Sequence, residues 1–100
     1  MEIKETLEGS QVIISVAGEI DGSNVGEFEA ALKGAMEKAP EMILDLQELE
    51  YVSSAALRVF LLIRKLTEGM GHSMVIRNVT EDVMEIFSVT GFVNLLVFEE

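Results

Sequence analysis

The chain has no cysteine, one proline, one histidine and no apolar run longer than Val59–Ile63. Without cysteine it can build neither a disulfide framework nor a thiolate metal site, a composition that suits a reducing cytoplasm. A membrane-spanning helix needs about 20 apolar residues, and nothing in the chain approaches that. The opening residues MEIKETLEG alternate and carry charge. They have neither the basic start nor the apolar core of a signal peptide. A soluble, cytoplasmic protein is expected.

Basic residues are also scarce. Asp and Glu number 18 against 7 Lys and Arg, a formal charge of −11. A field of that sign repels phosphate backbones and anionic lipid, which argues against nucleic-acid or membrane-surface binding. It suits a protein partner with a basic face, and it also serves solubility. The length of 100 residues fits one domain, spanning 1–100, and about half of the residues are apolar, enough for a core without staples.

What is present reads as one continuous α/β domain. Ile3, Glu5 and Leu7 alternate with Lys4, Thr6 and Glu8, Gly9-Ser10 is a turn, and Gln11–Ala17 is rich in β-branched residues. This spacing predicts an antiparallel hairpin. Ser23 or Asn24 can cap a helix whose apolar face is Val25, Phe28, Leu32, Ala35, Met36 and Ala39, ended by Pro40. Met42–Leu46 predicts a strand covered on both faces, Gln47–Val52 a loop, and Ser53-Ser54 the start of a second helix running to about Gly69. Ser73–Arg77 predicts a strand. Thr80 caps a third helix with Glu81 and Asp82 in its first turn, and Gly91 suits its C-terminal end. Val93–Phe98 predicts a last strand. The expected order is β-β-α-β-α-β-α-β, a mainly parallel mixed sheet with an N-terminal antiparallel hairpin.

Candidates for catalysis are few. A single histidine and no cysteine leave the usual nucleophile–base pairs almost empty, and there is no G-x-S-x-G elbow, P-loop or G-x-G-x-x-G. His72 beside Gly71 reads as a strand-end residue. Asp45 ends a strand, where response regulators place a phosphoacceptor, but the acidic cluster and downstream lysine of such a site are missing, so it reads as structural. A small hydrolase using Ser54 would lack a base. No catalytic residue, cofactor or metal is expected.

The segment Asp45-Leu-Gln-Glu-Leu-Glu-Tyr-Val-Ser-Ser-Ala-Ala-Leu-Arg resembles the central motif of STAS domains, the fold of bacterial anti-sigma factor antagonists. That family has an apolar strand, a D-L-x-x loop and then D-S-S/T-G-L at a helix start. Gly18-Glu19-Ile20-Asp21 resembles the family's G-E-[LI]-D after the second strand, and the element order matches over essentially the whole chain. The resemblance implies phosphorylation of the serine that follows the family's Asp. Here that serine is Ser54, with Ser53 a second candidate. The departures are Ser53 for the Asp, Ala55 for the second hydroxyl residue and Ala56 for the Gly.

Ser54 has a physical argument of its own. A serine at a helix start can cap free N–H groups, and the same place tolerates a phosphate, because those groups and the helix dipole point at it. Either Ser53 or Ser54 could also be a cap and nothing more. At about 100° per residue, Ala55, Ala56, Val59, Leu62, Ile63 and Leu66 form the expected core face of the second helix. Ser54, Arg58, Leu61, Lys65 and Glu68 fall opposite, with Leu57 at the margin. Leu57 and Leu61 are therefore expected at least partly exposed beside Ser54, on a partner surface rimmed by Arg58 and Lys65. Asp21 is expected at the same sheet edge, or as an Asx turn stabilising Gly22.

The resemblance implies partner switching. The unphosphorylated domain would bind an anti-sigma factor that is also a GHKL-type serine kinase, freeing a sigma factor. Phosphorylation of Ser54 would release it, and a PP2C-type phosphatase would reset it. The alternative is an unphosphorylated STAS interaction module, a scaffold or a subunit of a transport complex.

Overall fold

The computed structural model describes residues 1–99. Strand β1 (Glu2–Glu8) and strand β2 (Gln11–Ile20) form the expected hairpin, paired from Glu2 with Ala17 to Glu8 with Gln11. Gly9 takes a left-handed φ of 58° at the turn, which glycine adopts without a Cβ clash. Helix α1 (Val25–Met36) follows, then strand β3 (Glu41–Asp45), strand β4 (Leu49–Val52), helix α2 (Ser54–Gly69), strand β5 (Ser73–Arg77) and helix α3 (Glu81–Val89). The strand order is β1-β2-β3-β5, with β4 beside the far end of β2. The β2–β3, β2–β4 and β3–β5 pairs are parallel, as the alternation of strands and helices requires.

One face of the sheet presents Val12, Ile14, Val16, Met42, Leu44, Met74 and Ile76 to all three helices, and these form one core. An aromatic chain runs through it: Phe28 of α1, Phe60 of α2, Phe87 of α3 and Phe98 follow one another at ring-centroid distances of 5.2, 5.5 and 5.3 Å. These are tilted and edge-on contacts, the geometry that suits aromatic quadrupoles.

Two expectations fail locally while the α/β class stands. Gln47–Val52 is not all loop, because Leu49–Val52 is a strand. Only the first half of β2 pairs with β3, and its far end turns away at Gly18, with a φ of 93°. That end takes β4 as its partner, with a register shift between Gly18 and Glu19. The shift buries Leu49 and Val52 and leaves Glu50 and Tyr51 outside, so the period-two signature of a strand is absent. Val93–Phe98 is not a regular strand either. Gly91 ends α3 with a φ of 81°, and Phe92–Asn94 is spent in a 3₁₀ turn. Only residues 97–99 reach β5, through Ile76 N–H to Val97 C=O at 2.9 Å and Glu99 N–H to Ile76 C=O at 2.8 Å.

Candidate functional site

The parallel pairing of β2 and β4 carries both strands to the same sheet edge, where Ile20 pairs with Val52. The Ser53 N–H donates to the Ile20 carbonyl at 2.9 Å, so the start of α2 is tied to the residue preceding Asp21. Ser53 is extended, with φ −84° and ψ 170°, and its hydroxyl oxygen accepts from the Ala56 N–H at 3.2 Å. Ser53 is therefore the N-cap. Ser54 is the first helical residue and is exposed. Among the described residues no hydrogen bond engages its hydroxyl. The two serines thus differ in kind: one oxygen is committed to the backbone, the other is free on the surface.

Asp21 stands beside this helix start and is tightly held. Its Oδ1 accepts from the Ser23 hydroxyl at 2.5 Å and the Ser23 N–H at 2.8 Å, which is the Asx turn considered from sequence. The Ser23 hydroxyl, and after it the Ser23 N–H, hold the Asp21 carboxyl below the ordinary aspartate pKa. Asn24 occupies the N-cap position of α1 but does not cap it. Its side chain turns back, accepting from Asp21 N–H and donating to Glu19 C=O, each at 2.9 Å.

Helix α2 is rotated relative to the expected orientation. The buried residues are Ala56, Leu57, Val59, Phe60, Ile63 and Thr67. Leu57 is 2% exposed and is removed from the candidate docking surface, while Leu62, expected in the core, is 37% exposed. The cause is Phe60. Its ring lies between Phe28 and Phe87 and draws the arc around itself inward, taking Leu57 with it and turning Leu62 out. The outer face of α2 therefore carries Ser54, Arg58, Leu62 and Lys65, with Leu61 half-buried. Tyr51, 44% exposed, adds an aromatic side chain two residues before the cap. With Gln47–Val52 expected as a loop, nothing in the sequence singles Tyr51 out; strand β4 is what sets it beside the cap.

The other candidates fall into structural roles. Asp45 pins the end of β3: its Oδ1 accepts from Gln47 N–H at 3.1 Å and its Oδ2 from Asn78 Nδ2 at 3.2 Å, with Arg77 Nε 3.6 Å away. The Nδ1 of His72 lies 3.1 Å from the Met36 carbonyl, joining the end of α1 to the start of β5. A cleft of about 450 Å³ is lined by Glu2, Lys4, Ser15, Asp45 and Gln47 among others, and includes no residue of α2. The surface around Ser54 is a helix face, a form suited to a macromolecular partner rather than an enclosed small molecule. No helix among the described residues is long and apolar enough to cross a membrane.

Comparison with known proteins agrees with this geometry. The family model described as Mlab, STAS domain matches residues 3–97. BtrV of Bordetella bronchiseptica, named for anti-sigma factor antagonism, is 32% identical over 85 residues, covering 84% of this chain and 73% of BtrV. The anti-sigma-B factor antagonist of Bacillus subtilis is 24% identical over 87 residues, covering 87% of this chain and 80% of that protein. In fold the chain matches the anti-sigma factor antagonist SpoIIAA in its unphosphorylated form, with a TM-score of 0.81 and 17% identity over 99% of this chain and 89% of that one. It also matches SpoIIAA of Bacillus in its phosphorylated form, with a TM-score of 0.73 and 16% identity over 99% and 92%.

Proposed function

The chain belongs to the STAS domain family, and from that premise we propose that it is an anti-sigma factor antagonist switched by phosphorylation of Ser54. The unphosphorylated domain binds an anti-sigma factor, a GHKL-type serine kinase, through the outer face of α2 and the adjoining Asp21 and Ser53, and so frees a sigma factor in the cytoplasm. The kinase transfers a phosphoryl group to Ser54, the complex separates, and a PP2C-type phosphatase restores the binding form. The domain is substrate and ligand and performs no catalysis.

The observation that carries this reading is the division of labour between the two serines. Ser53 accepts the Ala56 N–H, whereas Ser54 is exposed at the first helical position. A phosphate there adds about −1.5 to −2 charges at pH 7 beside the positive end of a helix, where the domain tolerates it and a docked partner does not. Incubation with the kinase and ATP, followed by intact mass and peptide mapping, tests the site. One phosphate on wild type and on Ser53→Ala, and none on Ser54→Ala, is expected. No adduct, or an adduct elsewhere, overturns it and favours the alternative of an interaction module that is never phosphorylated, to which Ser53 and Ala56 in place of the family's Asp and Gly lend support.

A further inference from the structure

Cations are few in this chain, and most are already used. Of the 7 Lys and Arg, four lie in ion pairs: Lys33 with Glu29, Lys38 with Glu5, Arg64 with Glu68 and Arg77 with Asp45. Among the described residues Lys4, Arg58 and Lys65 have no such partner, and two of these three stand on the outer face of α2. Arg58 is exposed one turn after Ser54. Its neighbours at three and four residues are Ser54, Ala55, Leu61 and Leu62, and the first turn of α2 holds no acidic residue. Elsewhere this protein fills the same spacing with a carboxylate, as in Lys33–Glu29 and Arg64–Glu68. At Arg58 the position four residues earlier is a serine.

We propose that Ser54 and Arg58 form a charge-exchange pair: with Ser54 bare, Arg58 engages a carboxylate of the partner, and with Ser54 phosphorylated, the phosphate captures Arg58 within the helix. The order is the favourable one, an anion four residues before a cation. Arginine can meet a phosphate through two parallel N–H donors. Phosphorylation then does more than add bulk. It removes the cation from the docking face and leaves the Ser54–Arg58 pair with a net charge of about −0.5 to −1. Although the whole molecule carries −11, residues 54–65 of α2 hold no carboxylate and are apolar and basic on their outer side, with Leu61 and Leu62 between Arg58 and Lys65. The nearest carboxylates of the face, Asp21 beside the helix start and Glu68 paired with Arg64, flank that stretch. The partner surface it fits is correspondingly apolar and acidic, the reverse of what net charge alone suggests.

This inference rests on Ser54 being the modified residue, but its first test does not require the kinase. Phosphoserine installed at position 54 of the full chain is titrated by ³¹P NMR. The second phosphate pKa is expected lower in the otherwise wild-type chain than in Arg58→Gln by about half a unit, with Lys65→Gln unchanged from wild type. Equal values in wild type and Arg58→Gln overturn the pair. The second arm measures binding of the anti-sigma factor used in the phosphorylation assay to unphosphorylated chain. Arg58→Glu is expected to weaken it at least tenfold, more at low salt than at high, while Glu29→Lys on α1 leaves it within twofold. Unchanged or tighter binding of Arg58→Glu overturns the acidic-partner assignment. Failure of the wild-type chain to bind at all counts against the proposed function, while the titration still decides the pair.

Discussion

Helices α2 and α3 begin alike and are completed differently. Each is preceded by an extended hydroxyl residue, Ser53 with φ −84° and ψ 170° and Thr80 with φ −70° and ψ 160°. Each hydroxyl accepts from the N–H three residues on, Ala56 at 3.2 Å and Val83 at 3.4 Å. Helix α3 then places Glu81 and Asp82 in its first turn, whereas α2 has no acidic residue there. Helix α3 thus supplies the negative charge its positive end favours. Helix α2 leaves that charge out and puts the exposed Ser54 in its place. In a chain with so many carboxylates, this helix start has none, and under the proposed function phosphorylation of Ser54 supplies the missing charge.

The largest expected effect tests which side of α2 faces inward. Leu57→Ala should cost about 2–5 kcal/mol of folding stability, because that side chain is 2% exposed. Leu62→Ala, at a site 37% exposed, should cost less than about 1 kcal/mol. Urea denaturation of both variants checks the orientation, and comparable losses would break the account of the outer face. Leu62→Asp, on the exposed side, should fold as wild type does while losing affinity for the anti-sigma factor.

Next come the caps. Ser53→Ala and Thr80→Ala should each destabilise by about 1 kcal/mol, while Ser54→Ala should stay within about 0.5 kcal/mol of wild type. A large loss from Ser54→Ala would mean that its hydroxyl is structural after all.

Giving α2 the acid that α3 already has is a smaller change. Ser54→Asp should raise thermal stability by about 0.3–1 kcal/mol and weaken partner binding. That opposition between stability and function separates a switch from a plain helix start.

The smallest effect concerns the entry to α1, which is held by a side-chain lock in place of a hydroxyl cap. The Ser23 hydroxyl, then the Ser23 N–H, lower the pKa of Asp21 in the folded state. Its stabilising contribution is therefore complete above the ordinary aspartate pKa and fades as the pH falls from there through the lowered value. Acid titration of unfolding should show a shallower decline for Asp21→Asn than for wild type over that window.

Much of this was legible from sequence, for identifiable reasons. The hairpin, the three helices and the strands β3 and β5 carry strong periodicity or clear stop signals, such as Gly9 and Gly91, although α1 stops at Met36 and does not run on to Pro40. Strand β4 was hidden by the register shift that buries Leu49 and Val52 but not the residues between them. The C-terminal run Val93–Phe98 looks like a strand because apolar residues alone do not reveal that a 3₁₀ turn takes its first two residues. The helix start at Ser53-Ser54 was correctly located, yet nothing local distinguishes the cap from the free hydroxyl. That distinction needs the Ile20 carbonyl, which fixes Ser53 in space. The outer face of α2 was misplaced by the margin that exchanges Leu57 for Leu62, because the pull of Phe60 depends on Phe28 and Phe87, contributed by other helices.

The central claim is that the state of Ser54 decides whether the outer face of α2 holds a partner. Calorimetric titration of the anti-sigma factor with the unmodified chain, and with the chain carrying phosphoserine at 54, tests it most directly. A complex with the unmodified chain and a loss of at least a hundredfold in affinity with the phosphorylated one is predicted. Equal affinity for the two forms would contradict it.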